Sequence, residues 1–169
     1  MEQIYNNLYI GGDVDYDKLK GKEGWSFSRC CKYGNGGHQQ VLGYSSLGAP
    51  KDKNYLSARP EDNHIAINIL DLDDPNMIPI KCVEVALSFI KERLDLGNKV
   101  LVSCNKGASR GPSMGLAFLR AVGDMPHSFG LSERIYHTLY PKYDPGLGMR
   151  QMLRSNWSYL DNLLNKQEK

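Results

Sequence analysis

The chain has 169 residues, 41% of them hydrophobic and 24% charged, with a formal net charge of +2. That composition fits one ordinary folded domain and excludes an intrinsically disordered chain. The near-balanced charge excludes a broad pull toward nucleic acid or an anionic membrane, and no apolar run reaches the ~20 residues of a membrane span.

In chain order, Ile4 to Ile10 ending in Gly11-Gly12 predicts a short first strand and a turn. The polar stretch Asp13 to Lys22 is expected as a short helix or loop. Trp25 to Ser28 has the composition of a strand. The remainder of the segment 25–63 is then broken by Gly34, Gly36, Gly37, Gly43, Gly48, Pro50 and Pro60. So much irregular chain inside a domain is often functional, and it is expected to border the site and help choose the substrate. Cys30, Cys31 and His38 lack the paired ligand spacing of a structural zinc site, so no metal is called for there.

His64 to Leu70 is a compact aliphatic run that predicts a buried strand. It leads into an acidic loop, Asp71-Leu-Asp-Asp-Pro-Asn76. From Ile78 to Leu96, the spacing of Ile80, Val83, Leu87, Ile90 and Leu94 predicts one apolar helical face, closed by Gly97. Lys99 to Ser103 predicts a strand that stops at Cys104. A small-residue loop follows, and beyond Arg110 the residues from Gly111 to Val122 are apolar on nearly every side, as in a buried central helix. Ser128 is an expected N-cap for a helix with Leu131, Ile135 and Leu139 along one face. Tyr140 to Gly146 breaks that helix. A last amphipathic helix groups Met149, Leu153, Trp157, Leu160 and Leu164, before a polar tail from Asn165 to Lys169. Strands alternating with helices predict an α/β domain, a mostly parallel central sheet of about four or five strands flanked by helices.

The chemistry concentrates in Cys104-Asn-Lys-Gly-Ala-Ser-Arg110, where five residues separate the cysteine from the arginine. A loop of that length between a strand and a helix can curl round one tetrahedral anion. The first turn of a helix offers unpaired N–H groups and partial positive charge, and a guanidinium takes two oxygens in a fork. A free thiol has a pKa of about 8.5, and helix N-termini and cations lower such values. The four cysteines, Cys30, Cys31, Cys82 and Cys104, do not form a disulfide framework, so a reducing cytoplasm is the expected location.

This Cys-x5-Arg loop, with Gly107 and Ser109-Arg110, resembles the signature of the cysteine-dependent phosphatases, most closely the dual-specificity branch. The resemblance extends over roughly 63–164 and includes the acidic loop and Pro145-Gly-Leu-Gly-Met149. It implies a single phosphatase-type domain over 1–169, within which 25–63 is an atypical loop-rich segment that does not follow the ordinary family pattern. It implies hydrolysis of phosphate monoesters, phosphotyrosine and phosphoserine/threonine, through a phosphocysteine, with no metal and no cofactor. Cys104 would be the nucleophile and Arg110 the phosphate clamp. Asn105, Lys106, Gly107, Ala108, Ser109 and Arg110 would form the phosphate cradle. Asp73, thirty-one residues before Cys104, would be the proton donor, with Asp74 and Asp71 as competitors. The substrate would be a phosphorylated protein or a small phosphomonoester.

Two positions depart from the family pattern: Ser103 stands where a histidine usually precedes the nucleophile, and Gly111 where Ser or Thr usually follows the arginine. They leave open a phosphate-binding module with weak turnover. The same chemistry on a phosphoinositide, a nucleotide or an RNA 5′ phosphate is a further alternative.

Overall fold

The computed structural model describes residues 1–161 and 163–165. The expected first strand is two: β1 (Glu2–Tyr5) and β2 (Leu8–Gly11) form an antiparallel hairpin. Its turn passes through Asn7 at φ 58°, a left-handed conformation that asparagine tolerates better than most residues. The polar stretch after it is a helix, α1 (Asp13–Leu19), and then comes β3 (Trp25–Arg29). The rest of the 25–63 segment supplies a short helix, α2 (His38–Leu42), and an edge strand, β4 (Ser57–Glu61), which pairs antiparallel with β5 (His64–Ile67).

Beyond the acidic loop, a single 3₁₀ turn at Pro75–Met77 precedes α3 (Ile80–Asp95). Strand β6 (Lys99–Ser103) delivers the cysteine loop, and α4 (Arg110–Ala121), α5 (Phe129–Leu139) and α6 (Leu147–Ser155) complete the chain. The sheet of six strands, where four or five were expected, runs in the order β1–β2–β6–β3–β5–β4; β2, β6, β3 and β5 are mutually parallel.

Alternation along β6 sets the two layers. Val100 and Val102 face the larger core, built with α3, α4 and the carboxyl-terminal residues. Leu101 faces a smaller cluster with Phe27, Tyr16 and Leu19 under α1. By the same alternation Ser103 lies on the α1 face, opposite its register partner Arg29.

Helix α5 departs from expectation. Its apolar row Leu131, Ile135 and Leu139 is about 40% exposed, and the buried face is instead Phe129, Ser132, Glu133 and Tyr136. Periodicity located an apolar stripe, but packing of Tyr136 and Phe129 against the interior set the helix's rotation. The last helix is shorter than its apolar spacing predicts, ending at Ser155, although Trp157, Leu160 and Leu164 still reach the core through turns. Of the expected polar tail, 166–169 lie outside the described residues. No helix among the described residues is long and apolar enough to cross a membrane.

Candidate active site

Parallel strands leave a crevice at their carboxyl ends, and β6 ends there at the fully buried Ser103. The chain then turns through 104–109 into α4. Gly107 has φ 70°, and a Cβ on it would lie 2.8 Å from the carbonyl of Gly11, so both the conformation and the close approach require glycine. Pro112 sits within the first turn of α4, where the missing N–H breaks no helical bond.

Cys104 lies beneath this loop with 2% of its surface exposed. Beside the loop opens a cavity of about 490 Å³, lined by neither Cys104 nor Asp73. Asn105, Lys106, Ala108, Ser109 and Arg110 form one wall, Asp144, Pro145 and Gly146 another, and Asp71 belongs to the acidic side. Lys106 is solvent-exposed. The Arg110 guanidinium is turned inward: one Nη donates to the Ile69 carbonyl at 3.2 Å and the other to Asn105 Oδ1 at 2.9 Å. Its Nε is buried and has no hydrogen-bond partner among the described residues. A buried N–H without an acceptor is costly, and a phosphoryl oxygen would satisfy it.

Four neighbouring segments hold the loop. From the 25–63 segment, the Tyr33 carbonyl accepts from Asn105 Nδ2 at 3.0 Å. From α1, the Asp13 N–H donates to the Asn105 carbonyl at 3.0 Å, and Asp13 Oδ2 accepts from Asn105 Nδ2 at 3.3 Å. From the segment after α5, the Tyr140 hydroxyl donates to the Gly107 carbonyl at 2.7 Å and the Asp144 N–H to the Ala108 carbonyl at 2.9 Å. Burial, followed by the nearby Cys104, pushes the Tyr140 hydroxyl up to about 12, so it remains a donor at neutral pH. From the acidic loop, Asp71 Oδ1 accepts from Ser109 Oγ at 2.8 Å, while Ser109 Oγ accepts from the Gly146 N–H at 2.9 Å.

The three acidic-loop carboxylates are therefore differently employed. Asp71 is tied to the loop, and Asp74 caps the 3₁₀ turn by accepting from the Asn76 N–H at 2.9 Å. Asp73 is exposed and makes no side-chain hydrogen bond or ion pair among the described residues. Its backbone lies against the first turn of α6: a Cβ on Gly148 would come 2.0 Å from the Leu72 carbonyl and 3.0 Å from the Asp73 carbonyl carbon. The Pro145-Gly-Leu-Gly-Met149 turn thus docks the acidic loop, with Gly148 as the point of contact.

Neither departure from the family pattern leaves a void. Gly111 packs so closely that a Cβ would lie 3.0 Å from the Cys104 backbone nitrogen. Ser103 Oγ accepts from Arg29 Nη1 at 3.0 Å. Arg29 is fully buried, with Nη2 on Asp13 Oδ1 at 2.6 Å, Nε on the Asn35 carbonyl at 3.0 Å, and the guanidinium 4.5 Å from the Tyr16 ring centre. Sequence reasoning missed Arg29, Asp13 and Tyr140. The available signal for Arg29 was one charged residue ending a strand of otherwise uncharged residues.

The other cysteines differ in character. Burial pushes the Cys30 thiol far up, raises Cys31, and lifts Cys82 to about 11, which keeps all three protonated at neutral pH. His38, in the 25–63 segment, is fully buried, with its ring nitrogens on Tyr44 Oη at 3.0 Å and the Asn54 carbonyl at 2.7 Å.

No protein-family model matches the chain, and no curated protein sequence matches it. The architecture is that of the dual-specificity and protein-tyrosine phosphatases. DUSP15 superposes with a TM-score of 0.66 at 20% identity, over 99% of this chain and 94% of its own. Human tyrosine phosphatase-like serine/threonine/tyrosine-interacting protein gives 0.61 at 17%, over 94% and 96%. Human DUSP28 gives 0.61 at 15%, over 94% and 93%. Identities this low establish the fold, and the chemistry is argued from the residues themselves.

Proposed function

We propose that the chain is a cysteine-dependent phosphatase that hydrolyses phosphate monoesters, phosphotyrosine and phosphoserine/threonine among them, without a metal. The observation that carries this reading is the inward Arg110 guanidinium at the end of the cysteine loop, fixed through both Nη atoms, with its buried Nε unpaired among the described residues. The Cys104 thiolate attacks phosphorus, the bond to the leaving oxygen breaks, and a phosphocysteine forms. Loop N–H groups and Arg110 hold the three non-bridging oxygens as charge spreads over them. Asp73 gives its proton to the leaving oxygen, being the carboxyl of the acidic loop not committed to another contact, while Asp71 positions that loop. Water then attacks the phosphocysteine and releases inorganic phosphate and the thiolate.

Charges around the cavity are balanced, Lys106 and Arg110 against Asp71 and Asp144. That balance suits a substrate with one phosphate better than a polyanionic phosphoinositide, nucleotide or RNA 5′ end. A reducing compartment such as the cytoplasm would keep Cys104 free. The test compares aryl phosphate hydrolysis by the parent, Cys104→Ser and Asp73→Asn. Cys104→Ser should abolish turnover, and Asp73→Asn should cost roughly 10²–10⁴ in rate. Residual activity in Cys104→Ser equal to the parent would end the proposal.

A second reading, a phosphate-binding protein with weak turnover, has one observation in its favour. Gly111 brings no hydroxyl to the departing sulfur, and the Ser109 hydroxyl is held between Asp71 and Gly146. Phosphate binding to Cys104-intact protein with no Cys104-dependent hydrolysis would select it.

A further inference from the structure

We infer that Arg29 is a positioning residue that braces both ends of the phosphate loop, through Ser103 directly and through Asp13 and Asn105 to Arg110. This rests on the phosphatase reading for its purpose, although the geometry stands independently. At the near end, Arg29 Nη1 reaches the Ser103 hydroxyl, one residue before the nucleophile, at 3.0 Å. At the far end, Nη2 holds Asp13 Oδ1 at 2.6 Å, Asp13 Oδ2 accepts from Asn105 Nδ2 at 3.3 Å, and Asn105 Oδ1 accepts from Arg110 Nη2 at 2.9 Å. The path runs guanidinium, carboxylate, amide, guanidinium, each link with its donor and acceptor correctly opposed.

The arrangement has a physical rationale. A fully buried guanidinium is tolerated only when its charge and N–H groups are met. Here Asp13, the Asn35 carbonyl, Ser103 and the Tyr16 ring meet them. The other titratable groups that feel its charge are Tyr16 and Asp17 of α1, His64 of β5, and Cys30 and Cys31 beyond β3; Asp13 is the anion in direct contact. The planar fork of arginine fixes the angle between its two arms. Asp13 and Ser103 are thereby held at a set separation, and Asp13 shares with the Tyr33 carbonyl, which accepts from Asn105 Nδ2 at 3.0 Å, the setting of the Asn105 amide for Arg110. The serine that replaces the family's histidine is thus supported by a cation from the neighbouring strand.

The test uses the full chain and inorganic phosphate as the probe. Phosphate should protect Cys104 from iodoacetamide, and the half-protecting concentration is read by mass spectrometry, alongside kcat and KM for an aryl phosphate. Arg29→Gln should raise that concentration about tenfold, the scale of a lost charged hydrogen bond. Arg29→Lys, which keeps the Asp13 pair, should recover part of the loss. In the Arg29→Gln/Asn105→Ala double variant the losses should not add, because both cut one path. Unchanged half-protection in a folded Arg29→Gln protein, or fully additive losses, would overturn the inference.

Should Arg29→Gln fail to fold, Asp13→Asn decides the matter, since the Asp13 side chain is 37% exposed. Bare electrostatics predicts tighter phosphate binding when an anion is removed, whereas the relay predicts weaker binding; tighter or unchanged binding overturns it. Intact phosphate protection without Cys104-dependent turnover would sink the phosphatase reading and leave the relay standing.

Discussion

Replacing Ser109 by alanine severs two contacts with one oxygen atom: the bond donated to Asp71 at 2.8 Å and the bond accepted from the Gly146 N–H at 2.9 Å. A hydrogen bond to a charged group contributes about 1.5–3 kcal/mol and a neutral one about 0.5–1.5 kcal/mol. Asp71 is exposed and water can replace part of its bond. We therefore take the low end of each range, together about 2 kcal/mol, or roughly thirtyfold. The loss should fall on the acidic loop, because these contacts are what tie it to the phosphate loop, whereas Cys104 and Arg110 keep their own anchors. The assay compares phenyl phosphate with p-nitrophenyl phosphate. The phenoxide needs the donated proton, and the nitrophenoxide is stable enough to leave with little help. Ser109→Ala should slow phenyl phosphate by the larger factor and leave iodoacetamide labelling of Cys104 near the parent rate. Equal losses on both substrates would mean that Ser109 serves the phosphate loop and not proton donation, and the division of roles between Asp71 and Asp73 would fall with it.

The remaining predictions address other supports. Gly148→Ala places a methyl carbon against the Leu72 carbonyl, nominally at 2.0 Å, so backbone must move; it should reproduce the leaving-group dependence of Ser109→Ala, and an unaffected phenyl phosphate rate would refute the docking role. Tyr140→Phe strands the Gly107 carbonyl, at a cost of about 1–3 kcal/mol if the group stays dry, seen as a lower melting temperature. Tyr140 ionises near 12 when folded against 10.0 for the free side chain. The unfolded chain therefore loses its proton first, and the parent should lose stability as pH rises from about 10 toward 12. Tyr140→Phe should make that fall shallower without abolishing it, because burial raises the Tyr136 and Tyr143 hydroxyls too, as measured by urea unfolding across the range. Finally, with no hydroxyl at Gly111 and that of Ser109 engaged, rapid mixing with aryl phosphate should give a burst of phenol followed by a slower steady rate. A linear time course from the first turnover would show that phosphocysteine hydrolysis does not limit the rate.

How much of this was legible in the sequence depended on the range of the interaction concerned. The strand 99–103, the loop and α4 follow each other directly, so local composition was enough to place Cys104 and Arg110 at a strand–helix junction. Asp71, Asp73 and Asp74 were recognisable as candidates, but their spacing could not separate them. What separates them is the Ser109 hydroxyl, 38 residues from Asp71, and the Asn76 N–H beside Asp74. Arg29 acts across 74 residues on Ser103, and no periodicity encodes such a contact. Helix α5 shows the reverse difficulty: Leu131, Ile135 and Leu139 advertise a buried face, yet the interior takes the side bearing Tyr136. In the 25–63 segment, glycines at positive φ such as Gly34 and Gly36 mark tight turns, but which walls those turns approach is a tertiary matter. Gly36 illustrates it, since a Cβ there would strike the Tyr16 ring of α1.

The two departures from the phosphatase pattern flank the same loop, and the structure compensates them unequally. On the amino-terminal side, Ser103 is too short to brace the loop as an imidazole would, and the neighbouring strand supplies a buried arginine in its place. On the carboxyl-terminal side, Gly111 lies tight against the Cys104 backbone and brings no hydroxyl, and the Ser109 hydroxyl is committed to holding the acidic loop. On the proposed reading, oxyanion binding keeps the support of Arg110 and the loop, whereas release of the sulfur in the second step has less. A site built this way should bind and be phosphorylated readily and turn over slowly. Such an imbalance suits an enzyme whose phosphorylated form persists, and the separate rate constants of the two steps, more than overall activity, will show how far the balance has moved.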